Sequence, residues 1–347
     1  MNLEQRINLL VFLGDYLKEN TAGWQDVKQR ASNENGWFTP EYIDLAVANI
    51  CQNFLQKEKL EDWVTAYQLP GENDNRKTIG LVMAGNIPLV GFHDLLCCFI
   101  TGHRVLVKTS SKDDVMIKHL IQQLAEQDAG IDNYISFAVQ LKNCDAYIAT
   151  GSNNSSRYFE FYFAKYPHII RKNRTSVAIL DGTESPAELE GLADDAMIYF
   201  GLGCRNVTQL YVPREYDFIP LLAALNKYSW ASDHHKYRNN YDYNLALHIL
   251  NNKYYMTNET TLIIEHDSAF AAISQLHYQF YDRATTVLEK LNKSEEVQAI
   301  VGHYGIPFGK VQQPSLTDYA DGVDTIEWLM AIDKQEATAE VSADQPA

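Results

Sequence analysis

Ile79-Gly80-Leu81-Val82-Met83-Ala84 runs into Gly85-Asn86-Ile87-Pro88, then into the stretch Leu89–Thr101, and then into Arg104-Val105-Leu106-Val107-Lys108. This passage decides the fold. An apolar run without alternation is a strand covered on both faces, because a half-exposed strand alternates. Leu89–Thr101 reads as a helix stopped by Gly102, and the second apolar run reads as another strand. Two such strands joined by a helix make a βαβ unit with a parallel pair. Downstream, a helix with an acidic first turn is expected over Asp113–Gln127, and strands over Ile135–Val139, Ala146–Ala149 and Ser176–Leu180. Gly151-Ser152 opens a helix reaching Lys165, and Ser185-Pro186 opens another. The alternation predicts an α/β protein with a doubly wound, mostly parallel sheet and a Rossmann-like cofactor domain. Strands at Gln209–Pro213 and Thr261–Glu265 flank an aromatic, His-rich stretch from Tyr228 to Tyr255 and predict a second α/β domain. Upstream, Leu9, Leu10, Phe12, Leu13 and Leu17 share a helical face, and Thr39-Pro40-Glu41 starts a further helix. The expected divisions are 1–180 for the helical region with the first α/β domain, 181–332 for the second α/β domain, and 333–347 for a disordered tail without large apolar groups.

The chain has 347 residues, 46% of them apolar, which suits one large domain or two modest ones. Lys and Arg number 29 against 45 Asp and Glu, a net charge of −16. That charge argues against nucleic acid and anionic membrane surfaces as partners, which need a basic field. It leaves room for a small anionic ligand, which needs only a local pocket. The five cysteines form no CxxC pair, so neither a zinc ribbon nor a disulfide scaffold is expected. The amphipathic N-terminus lacks a signal-peptide pattern, and no uncharged apolar stretch is long enough to span a bilayer. A cytoplasmic protein is the expectation.

Ligands of open parallel sheets bind at the carboxyl ends of the strands. Asn86 follows the first strand, where its amide could donate to a developing oxyanion or simply turn the chain before Pro88. Lys108-Thr109-Ser110-Ser111 ends the second strand and suits a ribose or phosphate, or is an ordinary polar loop. Gly151 and Ser152 open a helix whose first N–H groups make an anion site, or an ordinary cap. In Gly201-Leu202-Gly203-Cys204-Arg205 two glycines permit close approach of a ligand to an exposed sulfur, and Arg205 would favour thiolate. Cys97 and Cys98 lie in an apolar helix, where burial is the better reading. The rings between Tyr228 and Tyr255 either line a substrate channel or pack helices. His234 and His235 are adjacent and point apart on a helix, and HExxH is absent, so no metal site is expected.

In order and spacing, these segments over residues 78–330 resemble the aldehyde dehydrogenase superfamily, and more closely its acyl-CoA reductase branch. The resemblance implies an aldehyde-dehydrogenase-like fold with Cys204 as nucleophile. Asn86 and the Cys204 backbone N–H would form the oxyanion hole. Lys108 would hold the adenosine ribose, and Gly151-Ser152 would lie near the pyrophosphate. Hydrolytic members carry a water-activating Glu upstream of the cysteine, whereas Arg171-Lys172-Asn173-Arg174-Thr175 stands there in this chain. Without that base, exchange of the thioester with coenzyme A replaces hydrolysis. Arg171, Lys172 and Arg174 are then candidates for CoA or cofactor phosphates, or a solvated loop. Members preferring NAD place a Glu where Ser111 stands, so the resemblance favours NADPH, with NADH as the other option.

The implied function is NADPH-dependent reduction of an acyl-CoA, with fatty chains favoured, to the aldehyde through an acylated Cys204. The alternatives are aldehyde oxidation or acyl-phosphate or semialdehyde reduction on the same fold, and a catalytically silent member binding acyl chains or a partner. The expected partner is the acyl-CoA substrate, with a homo-oligomer among the open assembly states and neither nucleic acid nor an integral membrane segment.

Overall fold

The computed structural model describes residues 1–332, so the tail expectation for 333–347 lies outside the described residues. The described chain divides into two compact units, Met1–Lys172 with residues 315–332, and Asn173–Pro314. The boundary therefore falls at 172/173 and not at 180/181. The strand expected at 176–180 pairs inside the second unit's sheet, and the chain from Ser315 returns to the first unit.

The first unit opens with helices α1 (Leu3–Glu19), α2 (Ala22–Glu34), α3 (Pro40–Asn53) and α4 (Lys57–Ala66). Asn2 and Gln5 cap α1 reciprocally, and Thr39 caps α3 ahead of Pro40. Leu10, Leu13 and Leu17 of α1 are buried as expected. Then follow β1 (Thr78–Val82), α5 (Phe92–Ile100), β2 (Arg104–Lys108), α6 (Val115–Gln127), β3 (Ile135–Phe137), β4 (Ala146–Thr150), α7 (Asn153–Phe163) and β5 (His168–Arg171). The strands pair in parallel in the order β3-β2-β1-β4-β5. Ile79, Leu81, Val105, Val107 and Ile148 are buried, which is why these runs lack polar alternation. The helix expected from Leu89 begins only at Phe92, because Leu89 is held at φ 56 by a bond from its N–H to Asp113.

The second unit contains β6 (Thr175–Ile179), α8 (Pro186–Met197), β7 (Val207–Pro213), α9 (Ile219–Leu225), α10 (His235–Leu250), β8 (Met256–Thr257), β9 (Leu262–Glu265), β10 (Gln275–Tyr281), α11 (Ala284–Leu291) and β11 (Val297–Val301). Its sheet runs β11-β6-β7-β10-β9-β8, parallel except for the antiparallel β8–β9 pair. Ser185 and Glu188 form the capping box that starts α8. No helix among the described residues is long and apolar enough to cross a membrane.

Candidate active site

In the first unit, β1 lies between β2 and β4. The chain winds outward through β2 and β3 and then returns to the other side of β1. The carboxyl ends of β1 and β4 thus mark the switch point where open α/β sheets hold ligands. Asn86 follows β1, Lys108 and Ser111 follow from β2, and Gly151 and Ser152 follow β4. These five expected residues therefore share one edge of the sheet. Asn86, Lys108, Ser111 and Ser152 are exposed there and Gly151 is half-buried.

The loops at this edge are locked together by short contacts. A Cβ on Gly85 would lie 2.6 Å from the Ser110 hydroxyl oxygen, so only glycine lets the β1 loop approach the β2 loop. Asp113 is buried, and one carboxylate oxygen accepts the Leu89 N–H at 2.6 Å. Its other oxygen has no hydrogen-bond partner among the described residues. Burial pushes its carboxyl up to about 7, against the lowering effect of that backbone bond. The neighbouring Asp114 is engaged by Thr109 and by Lys118, the latter at 2.6 Å. Ser152 caps α7 by accepting the Ser155 N–H at 3.3 Å. The Gly151 N–H donates to the Arg171 carbonyl at 3.3 Å, which removes it from the expected anion site.

Arg171 corrects a second expectation. Its side chain is buried, where the Nε and one Nη bond the Asp94 carboxylate at 3.0 and 2.7 Å. It also bonds the Thr325 hydroxyl at 2.8 Å and the Ala320 carbonyl. A guanidinium so committed is not available to CoA or cofactor phosphates. Lys172 is exposed and pairs with Glu160 at 2.8 Å. Arg174 belongs to the second unit, where its guanidinium reaches the Val297 carbonyl at 3.4 Å. The three cations form no common phosphate cradle.

In the second unit, Cys204 lies in the loop that leads into β7, at the sheet edge where β6 and β7 begin. Cys51, Cys97, Cys98 and Cys144 are buried, and Cys204 alone among the five cysteines is not. Burial pushes the Cys51 thiol up to about 11 and the Cys97 and Cys98 thiols well above the ordinary range. The loop entering Cys204 carries three consecutive left-handed residues, Tyr199 (φ 55), Phe200 (φ 56) and Gly201 (φ 74). Such a conformation costs about 1–3 kcal/mol at each non-glycine position and persists only where packing imposes it. The packing comes from the aromatic stretch. The Phe200 ring is buried 4.5 Å from the His234 ring, 5.6 Å from Tyr237 and 5.8 Å from Trp230. These rings therefore hold the cysteine loop, and Tyr228, Tyr237 and Tyr241 are buried while Tyr243 and Tyr254 are exposed.

At the opposite edge of this sheet, His303 bridges two carboxylates, Asp181 at 2.9 Å through Nδ1 and Glu188 at 2.9 Å through Nε2. Asp181, Glu184 and His303 bring potential cation-ligating atoms within 4.8 Å of one another. The two carboxylates raise the His303 imidazole to about 9, so near neutrality it carries its own positive charge. The sequence reading passes over Asp113, Asn206 and His303. Nothing in the local sequence marks these three as functional.

The sequence model of the acyl-CoA reductase (LuxC) family matches residues 56–276. A curated relative, long-chain acyl-protein thioester reductase 2 from Photobacterium leiognathi, is 26% identical over 166 residues. The match covers 42% of this chain and 35% of the relative, so the chain spans about a third of that relative's length. Among solved structures, an aldehyde dehydrogenase variant from Bacillus cereus superposes with a TM-score of 0.67 at 15% identity, covering 87% of this chain and 72% of that one. An aldehyde dehydrogenase from Mycobacterium tuberculosis complexed with NAD+ superposes with a TM-score of 0.64 at 14% identity, covering 87% and 73%. At such identities these two structures establish the aldehyde-dehydrogenase-like fold.

Proposed function

Because the chain belongs to the acyl-CoA reductase (LuxC) family, we propose that it reduces an acyl thioester, an acyl-CoA in the first instance, to the aldehyde with Cys204 as nucleophile. One observation carries this reading: of five cysteines, four are buried and Cys204 alone is not. It lies in a loop whose Phe200 packs against His234 and Tyr237.

The Cys204 thiolate attacks the thioester carbonyl, and the bond to the CoA sulfur breaks as CoA thiol leaves with a proton. The Cys204 backbone N–H and the Asn86 amide are the proposed donors to the tetrahedral oxyanion, each worth roughly 2.7–4 kcal/mol. A reduced nicotinamide dinucleotide, when bound, supplies the hydride. Hydride arriving at the acyl carbon leaves a hemithioacetal on Cys204. Its C–S bond then breaks, which returns the thiolate and releases the aldehyde. Water is a poor competitor because His168–Arg174 contains no carboxylate. The carboxylates that meet this segment, Asp94 and Glu160, are engaged by Arg171 and Lys172.

The residues present at the first unit's strand ends fit such a cofactor. Lys108 and Ser111 are exposed beside each other's loop, and Ser152 starts a helix at the neighbouring strand end. Ser111 offers a hydroxyl where a carboxylate would repel a 2′-phosphate. The nearby acids are withdrawn, Asp113 by burial and Asp114 by Lys118. NADPH is therefore favoured over NADH. The relative's name gives a second acyl donor, a protein-bound thioester.

The test mixes the protein with NADPH and either acyl-CoAs of graded length or an acylated protein thioester, following cofactor absorbance. Mass spectrometry without cofactor should find an acyl adduct on Cys204. Cys204→Ala should lose both adduct and turnover, and turnover at the wild-type rate in that variant would refute the mechanism. Release of free acid from an aldehyde without CoA would favour oxidation instead.

A further inference from the structure

We propose that Asn206 is the positioning residue of the Cys204 loop, with Ser176 as its second anchor, an inference that rests on Cys204 being the reactive thiol. Asn206 is fully buried two residues beyond the cysteine. Its side-chain Nδ2 donates to the carbonyls of Ile198 at 2.8 Å, Asp195 at 3.1 Å and Ala196 at 3.3 Å. These carbonyls belong to the last turn of α8 and the residue beyond it, where a helix runs out of its own donors. The Asn206 Oδ1 accepts the Gly203 N–H at 2.8 Å, and its backbone N–H donates to the Gly203 carbonyl at 3.1 Å.

One amide thus closes a tight ring around residues 203–206, with Cys204 inside it, and fastens that ring to the end of α8. A second tie runs to β6. The Ser176 N–H donates to the Asn206 carbonyl at 3.0 Å, and the Ser176 hydroxyl donates to the Cys204 carbonyl at 3.1 Å. The side chain at 206 must therefore donate twice and accept once from a short stem. Aspartate lacks the donors, serine lacks the reach, and leucine lacks both. The left-handed segment from Tyr199 to Gly201 does not support itself, so these bonds fix the direction of the Cys204 Sγ and of its N–H.

A helix cap that serves stability alone would leave the reactivity of every folded molecule unchanged. The experiment therefore reads reactivity in folded protein. It uses the full chain and measures the rate of Cys204 alkylation by iodoacetamide against pH, with peptide mapping of the adduct. Turnover with acyl-CoA and NADPH is measured alongside. Asn206→Asp keeps the acceptor and loses both donors. It should lower kcat about 100-fold, as expected for a nucleophile displaced by about 1 Å, with little change in KM. Its alkylation profile at Cys204 should shift along the pH axis.

Ser176→Ala removes only the tie to the Cys204 carbonyl, and it should shift the same profile in the same direction by less. If Asn206→Asp does not fold, Ser176→Ala decides the matter. Wild-type alkylation profiles in the folded variants would overturn the proposal. Because alkylation is read without turnover, that failure is distinct from the failure of the nucleophile reading, which appears instead as full activity of Cys204→Ala.

Discussion

Cys204 and Arg171 show how differently one residue type behaves under different surroundings. A thiol buried among apolar side chains is poorly ionised because its anion loses hydration, and Cys97 and Cys98 lie in that situation. Cys204 is only half-buried, because a left-handed turn, imposed by rings, keeps its loop at the sheet edge. Arg171 goes the other way. Its charge is buried, and the paired Asp94 carboxylate is the main compensation. Removing one member of such a pair leaves the other as an uncompensated buried charge, at about 3–5 kcal/mol. Asp94→Ala should therefore lose stability of that order in urea unfolding. Replacing both members with apolar residues, as in the double variant Asp94→Leu with Arg171→Met, should recover most of the loss. An Asp94→Ala protein as stable as wild type would show that the pair is not what holds that strand end.

At the scale of elements, the sequence exposes what local pattern determines. β1, β2 and β4 are apolar runs bounded by glycine or polar residues, and all three form as expected. The caps at Thr39 and Ser185 also follow from local chemistry. β5 escapes notice because His168 and Arg171 bracket just two isoleucines, and β11 because Gln298 interrupts its short apolar run. The role of Arg171 was equally illegible, since its partner Asp94 lies 77 residues away and beside it in sequence are two other cations. The placement of Asn86, Lys108, Ser111, Gly151 and Ser152 at one edge was legible, because strand order and strand ends follow from the alternation itself.

The loop between β1 and α5 offers a test at this scale. Gly85→Ala puts a methyl 2.6 Å from the Ser110 hydroxyl oxygen and 3.2 Å from the Asp113 Cβ. That contact is too short to survive, so the β1 and β2 loops must separate. NADPH affinity should fall about tenfold or more, a loss of at least about 1.4 kcal/mol. Alkylation of Cys204, in the other unit, should stay at the wild-type rate. Unchanged NADPH binding in titration calorimetry would remove the β1–β2 loop contact from the cofactor reading.

For the molecule as a whole, stability against pH is set by groups that bind protons differently when folded. Burial raises Asp113 in the first unit and Asp195 in the second to about 7. Their folded forms hold the proton more tightly than the unfolded chain, so this contribution is full below the ordinary aspartate value and is lost as pH rises to about 7. His303, raised to about 9 by its two carboxylates, contributes fully below the ordinary histidine value and loses that contribution as pH rises through about 9. Asp181 and Glu188 are lowered to about 2. Thr183 and His303 hold the Asp181 carboxylate down against its partial burial, and Ser185 and His303 hold down Glu188. Their contribution is present above the ordinary carboxylate range and is lost as pH falls through about 2. Above about pH 5 these slopes point the same way. His103, lowered to about 4 by burial, and His119 oppose Asp113 in the first unit, and the lowered His248 and His277 oppose Asp195 and His303 in the second. The reason is that a depressed histidine gains stability as pH rises to its ordinary value. Urea midpoints of the second unit, where Asp195 and His303 carry the large shifts, should be higher near pH 5 than near pH 8, even though the net charge of −16 makes the protein strongly anionic at either pH. Asp113→Asn should flatten the change between pH 5 and 7 in the first unit's transition, and His303→Gln the change between pH 7 and 9 in the second. A second-unit stability that climbs from pH 5 to pH 8 would show that Asp195 ionises freely in the folded chain and that His303 does not hold its proton between Asp181 and Glu188.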